Sequence, residues 1–397
     1  MSGMNKVIKT LLGIVALSII LFSGIAGYVL NSPWGVMFTL FADEHRPYNF
    51  KNMDSIFPYQ TIHASEEYFE FKYDIKELPL TYSFQNEELN IQNFLEETET
   101  TSLIILQNDT VVFEEYYQNY TENDKVTSWS MAKSFVSALT GILHDENLIE
   151  GLDDPVDKYL KEYEGTAYGE VTIKNLLTMS SGIEFDENYE TYRSDINMIF
   201  PMSMGFNKSM LEYTKELNAF TQQGTYNNYI SSDTLVLGYV LEEVTNMSLP
   251  EILETKIWQP LKMESDAYWS LERNNRAIGF CCLNAIPRDY ARFGYAYLNQ
   301  GLDVIPSKWV YESVNSNESR LQPGQNPDSD WTFGYGYKWW IPENSKGEYT
   351  AIGVWGQYIY VDTINDYVIV KTSTDYYFDE NDHETIEVFR AIIDDMN

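Results

Sequence analysis

The chain has 397 residues, 44% of them hydrophobic, enough for a substantial core in one large domain or two. Sixty Asp and Glu against 26 Lys and Arg leave a formal net charge of −34. That balance excludes a protein that grips phosphate backbones, which needs clustered cations, so nucleic acid is not an expected partner.

Residues 10–30, TLLGIVALSIILFSGIAGYVL, form an uncharged apolar run of 21, preceded by Lys6 and Lys9 and by no acidic residue. A helix of ~20 such residues spans a bilayer. Residues 1–30 are expected to be an uncleaved membrane anchor, with the two lysines on the cytoplasmic side and the remainder exported. The alternative is a cleaved signal peptide, for which Gly24-Ile25-Ala26 offers a small-x-small site. Residues 31–98 are mixed, without a strong period, and read as a linker and N-terminal extension.

From residue 99 to the C-terminus the pattern sharpens. Ser102–Leu106 and Thr110–Tyr116, on either side of a polar Gln107-Asn108-Asp109 turn, predict a β-hairpin. Next, Met131, Phe135, Ala138, Leu139, Ile142 and Leu143 recur at three and four residues, the period of a helix with one apolar face. Asp153-Asp154-Pro155-Val156 and Thr172–Leu177 read as further helix starts, the second closed by Gly182. Leu235–Thr245, Leu249–Trp258 and a helix opening at Pro287 continue the helical middle. Tyr358–Val361 and Tyr367–Thr372 predict a second hairpin, and a closing helix covers 384–394. Strands at both ends of the region with helices between them give an α+β fold, one antiparallel sheet flanked by helices and joined to a mostly helical subdomain.

Cys281 and Cys282 stand in an apolar context and are expected to be buried thiols, because neighbouring cysteines rarely meet disulfide geometry. His45, His63, His144 and His383 are scattered without ligand spacing, so no metal or organic cofactor is expected.

Ser130-Met131-Ala132-Lys133 places a hydroxyl and an amine three residues apart at the start of a predicted helix, hence on one face. Unpaired N–H groups and the positive end of the dipole favour negative charge there. A desolvated lysine whose pKa falls toward neutrality can act as a general base. A chain of this length holds about one or two Ser-x-x-Lys matches by chance, so the motif needs its context.

That context is Gly224-Thr225-Tyr226-Asn227-Asn228-Tyr229-Ile230-Ser231 and Ala351-Ile352-Gly353-Val354-Trp355-Gly356-Gln357, in this order after Ser130. With Leu176–Gly182, Lys256–Met263, Asp233–Gly238, Asn284-Ala285 and Arg288–Gly294, these segments resemble the serine β-lactamase and penicillin-binding-protein superfamily. The likeness is to its class C β-lactamase-related branch, and within that to the group similar to 6-aminohexanoate-dimer hydrolases. It implies a β-lactamase-like fold over 99–397, with Ser130 as nucleophile and Lys133 as its activating amine. The family's tyrosine usually follows the turn glycine by five residues, which prefers Tyr229, followed by Ser231, over Tyr226. A phenol there relays the serine proton to the leaving group.

In this chain Val354-Trp355-Gly356 stands where the family carries Lys-Thr-Gly or His-x-Gly. The backbone N–H groups of Ser130 and Gln357 remain the candidate oxyanion hole, each donor being worth roughly 2.7–4 kcal/mol in comparable sites. The lost cation disfavours substrates that carry a carboxylate, while Ser231, Trp355 and Gly356 are candidates to line the substrate. The resemblance thus implies a serine hydrolase that cleaves an amide or ester of a small molecule or short peptide through an acyl-enzyme. Ester or linear-amide cleavage is favoured over true β-lactamase or D,D-peptidase activity. A non-catalytic envelope scaffold is the rival from another class.

Overall fold

The computed structural model describes residues 2–30, 39–206 and 208–397, in two compact units, Met1–Asn49 and Phe50–Asn397. The first unit contains a 29-residue helix, Ser2–Leu30. Ile19, Ile20, Leu21 and Phe22 are each at least 60% exposed, and four consecutive residues of an α-helix point to all of its sides. Among the described residues no helix is long and apolar enough to cross a membrane.

Among the described residues the second unit is built on fourteen strands. In chain order they are β1 (Tyr59–Ile62), β2 (Lys72–Tyr73), β3 (Thr81–Phe84), β4 (Glu87–Asn90), β5 (Thr100–Gln107), β6 (Thr110–Tyr116) and β7 (Val126–Thr127). After a long helical stretch come β8 (Ala267–Ser270), β9 (Leu283–Ala285), β10 (Gly334–Tyr335), β11 (Trp340–Ile341), β12 (Glu348–Gly353), β13 (Gln357–Asp362) and β14 (Tyr367–Ser373). Eight form the main sheet, in the order β10-β11-β12-β13-β14-β5-β6-β2. All its pairings are antiparallel except the edge strand β2, which runs parallel to β6.

The expected antiparallel sheet is present, with one short parallel pairing added at its edge. The stretch read as linker and extension also proves more structured than its composition suggests. Residues 31–38 lie outside the described residues, but from Phe50 onward the chain is part of the second compact unit. It supplies β1 to a four-stranded sheet of order β1-β8-β9-β7, β2 to the main sheet and the β3–β4 hairpin. These strands are two to four residues long and mostly exposed, too short to print a period on the sequence.

Alternation along the strands separates two buried faces. On one, Tyr358 and Tyr360 of β13, Leu103 and Ile105 of β5 and Ile369 of β14 pack against Phe389, Ile392 and Ile393 of the C-terminal helix, Phe378–Met396. Ile91, Phe94 and Leu95 of the helix Ile91–Glu97 complete this layer. On the other face lies the helix Pro287–Leu298. A Cβ added at Gly294 would stand 2.6 Å from Val368 and 2.9 Å from Ile359, so only glycine lets that helix backbone rest on the sheet.

The helix Ala132–Asp145 joins this layer to the helical subdomain. Its predicted stripe is buried as expected, with Phe135, Leu139 and Leu143 fully inaccessible, each burial being worth ~1.5–3 kcal/mol. Phe135 stacks on Phe293 of Pro287–Leu298 with centroids 3.7 Å apart. The subdomain's other long helix, Ser231–Thr245, ends at Asn246, in the left-handed conformation that closes a helix.

Cys281 and Cys282 are not free thiols: they form a vicinal disulfide. The turn before β9 places Cys282 at φ +70, with Ser270 N–H donating to its carbonyl and Trp269 Nε1–H to that of Cys281. Tertiary bonds to both carbonyls hold a backbone geometry that the sequence alone does not favour.

Candidate active site

Ser130 lies in a 3₁₀ turn, Trp129–Met131, directly before the helix Ala132–Asp145. Trp129 is held at φ +43, an uncommon conformation for a bulky residue. Lys133, one turn on, is almost wholly buried. Its Nζ stands 2.7 Å from Ser130 Oγ, 3.2 Å from Ser231 Oγ and 3.0 Å from the Phe280 carbonyl. Burial pushes the Lys133 amine down to about 7, against an opposing pull from the Glu187 carboxylate. A buried lysine near neutrality is a competent base.

The structure separates the two candidate tyrosines. Tyr226 turns outward and donates to Asp330 Oδ1 at 2.6 Å. The Tyr229 ring lies 4.9 Å from Lys133 Nζ, and Ser130 is near enough to its hydroxyl to lower its pKa. Burial, and then the Glu187 charge, hold the Tyr229 phenol above its ordinary value, with the nearby Ser130 opposing them. Tyr229 is therefore a neutral phenol at rest, and the low-pKa group beside Ser130 is the lysine.

Opposite Ser130 runs the turn from β12 to β13, Val354-Trp355-Gly356, with Gly353 paired to Gln357. A Cβ on Gly353 would meet Ser128 O at 2.5 Å, Ser130 N at 3.1 Å and Gln357 Cβ at 3.2 Å. The strand edge bearing Gln357 thus packs directly on the turn bearing Ser130. Gln357 is buried, and its Nε2 donates to the carbonyls of Trp355 at 2.9 Å and Ser373 at 2.7 Å, fixing the turn from within. Trp355 (φ +68) and Gly356 (φ +77) are both left-handed. The Trp355 ring is half-buried among Phe50, Tyr376 and Phe378, with centroids 5.8–5.9 Å apart. Its place is an aromatic wall beside the turn rather than the interior of the sheet.

Several participants carried no mark in the sequence. Glu187 accepts from Ser231 twice, from Oγ at 2.5 Å and from the backbone N–H at 2.8 Å. Tyr189 donates to the same carboxylate at 2.6 Å, and its ring meets Phe378 edge-on. Behind the lysine, Lys338 is buried with Nζ on the Leu176 carbonyl at 2.5 Å. Burial lowers its pKa while Asp233 opposes that shift. Loop acids and buried pairs follow no hydrophobic period, so only the folded chain brings them together. Among the described residues no three His, Cys, Asp or Glu form a group able to hold a metal ion.

Other stretches that shared in the resemblance are structural. Asn284 Nδ2 donates to Cys282 O at 2.7 Å, and Asp289 is buried, accepting from the backbone of Glu264 and Ser265. Arg288 and Arg292 both pair with Glu264.

An antiparallel sheet beside a helical subdomain, with a Ser-x-x-Lys pair and a tyrosine at their junction, is the architecture of the serine β-lactamase and penicillin-binding-protein superfamily. Residues 89–391 match the family model described as Beta-lactamase, and the chain belongs to that family of hydrolases. It is 28% identical over 290 residues to a 6-aminohexanoate-dimer hydrolase of Paenarthrobacter ureafaciens, covering 69% of this chain and 72% of the relative. Among solved structures, one from Bacillus anthracis described as a candidate 6-aminohexanoate-dimer hydrolase superposes with a TM-score of 0.81 at 23% identity, covering 90% of this chain and 95% of that one. The octameric penicillin-binding protein homologue from Pyrococcus abyssi gives 0.60 at 20% identity, over 76% and 74% of the two chains. At these identities the two structures establish the fold alone.

Proposed function

We propose that the protein is a serine hydrolase that cleaves an amide or ester of a small molecule or short peptide through an acyl-enzyme on Ser130. The observation that carries this reading is the 2.7 Å contact between Ser130 Oγ and a buried Lys133 whose pKa lies near neutrality. The neutral amine takes the Ser130 proton as Oγ bonds to the substrate carbonyl carbon. The backbone N–H groups of Ser130 and Gln357 receive the oxyanion, and as the C–N or C–O bond breaks Tyr229 gives its phenolic proton to the leaving amine or alcohol and takes the proton held by Lys133 in its place. Water then attacks the acyl-enzyme by the reverse relay. The reading needs no metal or organic cofactor.

The likeness to a 6-aminohexanoate-dimer hydrolase supports linear amides as a substrate class. The aromatic wall of Trp355, Tyr376 and Phe378, at a turn without Lys or His, supports an apolar, uncharged acyl group over the carboxylate-bearing ring of a β-lactam. A fluorophosphonate probe tests the reaction type. Stoichiometric labelling of Ser130, absent in Ser130→Ala, is expected together with turnover of p-nitrophenyl esters. An inert Ser130 under conditions that label a control hydrolase would favour a non-catalytic scaffold instead.

The helix Ser2–Leu30 is proposed as a membrane anchor that leaves the catalytic unit outside the cytoplasm. Support comes from the apolar run itself and from exposed Ile19, Ile20, Leu21 and Phe22, which leave the helix no side suited to water. The full chain should stay with membranes through alkaline carbonate washing and be open to protease from outside the cell. Release by carbonate would refute the anchor.

A further inference from the structure

Lys133 Nζ has three neighbours able to accept a hydrogen bond: Ser130 Oγ, Ser231 Oγ and the Phe280 carbonyl. A neutral amine has only two N–H donors and one lone pair. To act as a base toward Ser130, it must turn the lone pair to the nucleophile, which leaves its two donors for the other two neighbours. The Phe280 carbonyl can only accept, so one donor is fixed. Ser231 can accept or donate, and as a donor it would capture the lone pair.

We propose that Glu187 is a positioning residue that sets the direction of this hydrogen-bond chain. Its Oε1 takes the Ser231 hydroxyl proton at 2.5 Å and its Oε2 the Ser231 backbone N–H at 2.8 Å, so Ser231 Oγ can offer Lys133 only a lone pair. With both amine donors engaged, the Lys133 lone pair faces the Ser130 hydroxyl, which donates to it.

The carboxylate is itself held. Tyr189 O–H donates to Oε1 at 2.6 Å, and the loop is knotted by Asn188 Oδ1 accepting from Glu190 N and Thr191 N. Asn197 Nδ2 ties the Tyr189 carbonyl at 2.8 Å to the helix Asp195–Phe206. This inference rests on reading Ser130, Lys133 and Tyr229 as an acyl-transfer site, and it adds a residue that touches neither substrate nor nucleophile.

A merely structural Glu187 and an orienting one differ in the pH profile. The charged groups near the lysine are Glu187 on its loop and, behind it, Lys338 with Asp233, while Tyr229 is neutral. Of these, Glu187 is the one whose charge favours the protonated lysine. Glu187→Gln keeps the side-chain shape but removes the charge and one of the two accepting oxygens, so Ser231 Oγ and N–H can no longer both donate to it. It is expected to lower kcat at least tenfold, a fraction of the ~10²–10⁴ that a positioned base supplies, with KM little changed. The acid limb of its kcat/KM profile should move to lower pH. Ser231→Ala, which keeps the charge, should lose kcat similarly without that downward move.

The assay is p-nitrophenyl ester hydrolysis by the full-length protein from pH 5 to 9, beside fluorophosphonate labelling. An unmoved limb in Glu187→Gln, or a kcat within about threefold of the parent, overturns the inference while wild-type labelling leaves the acyl-enzyme reading standing. An unlabelled wild-type Ser130 overturns both. If Glu187→Gln does not fold, an undiminished kcat in Ser231→Ala is by itself sufficient to overturn the proposal.

Discussion

Gly353→Ala isolates the contact between the turn that carries Ser130 and the strand edge that carries Gln357. The added methyl would lie 2.5 Å from Ser128 O, where Cβ contacts under 3.0 Å do not occur, and 3.1 Å from Ser130 N. Neither obstacle is the tip of a flexible side chain. Both belong to the backbone leading into the nucleophile, so relief requires the strand edge and the turn to part by about 0.5 Å or more. The proposed oxyanion donors, Ser130 N–H and Gln357 N–H, sit one on each side of that gap. A donor displaced by this much no longer meets an oxyanion at hydrogen-bond distance, and loss of one donor costs roughly 10²–10³ in kcat, about 2.7–4 kcal/mol. The measurement is kcat for a p-nitrophenyl ester, normalised to active sites by fluorophosphonate titration, with a melting curve as control. A folded Gly353→Ala protein with kcat within about threefold of the parent would refute the placement of the hole.

The remaining predictions address the base, the tyrosine, the wall and the core. Because the neutral form of Lys133 is the base and its pKa is about 7, kcat/KM should rise with pH through about 7 and level off above it. Below that value it should fall about tenfold per unit, as Lys133 becomes protonated, and an acid limb near 5 in stopped-flow pH profiles would refute this. Tyr229→Phe should lose on the order of 10²-fold or more in kcat, whereas Tyr226→Phe, whose hydroxyl donates to Asp330, should stay close to the parent. Trp355→Ala should raise KM for esters with aromatic or long alkyl acyl groups more than for acetate, and an equal effect on both would remove the wall from specificity. Gly141→Ala places a Cβ 2.2 Å from the Trp309 ring, and overpacking of this kind should cost about 1–3 kcal/mol or more in urea unfolding, far from the site and without change in Ser130 labelling.

Periodicity and turn chemistry are local, and that is why much of the fold was legible before the chain was folded. The hairpins β5–β6 and β13–β14, the buried stripe of Ala132–Asp145 and the helix opened by Pro287 lie where the pattern places them, and the closing helix is present but begins earlier, at Phe378. Of the site, Ser130, Lys133, Tyr229, Ser231 and Gln357 could be listed from motif order. The short strands of 59–90 could not, because two to four mostly exposed residues carry no period. Nor could the disulfide, which depends on tertiary bonds to the Cys281 and Cys282 carbonyls.

What the sequence determined by itself is which groups are available: a serine and an amine at helical spacing, a glycine-flanked strand edge, and a third motif without its cation. Tertiary structure alone decided their states. Burial lowers the Lys133 pKa, raises that of Tyr229 and leaves Tyr226 at the surface, and a loop carboxylate 44 residues before Ser231 fixes which way its hydroxyl points. Protonation state and hydrogen-bond direction depend on desolvation and on partners distant in the chain, and neither quantity is written in any local stretch of residues.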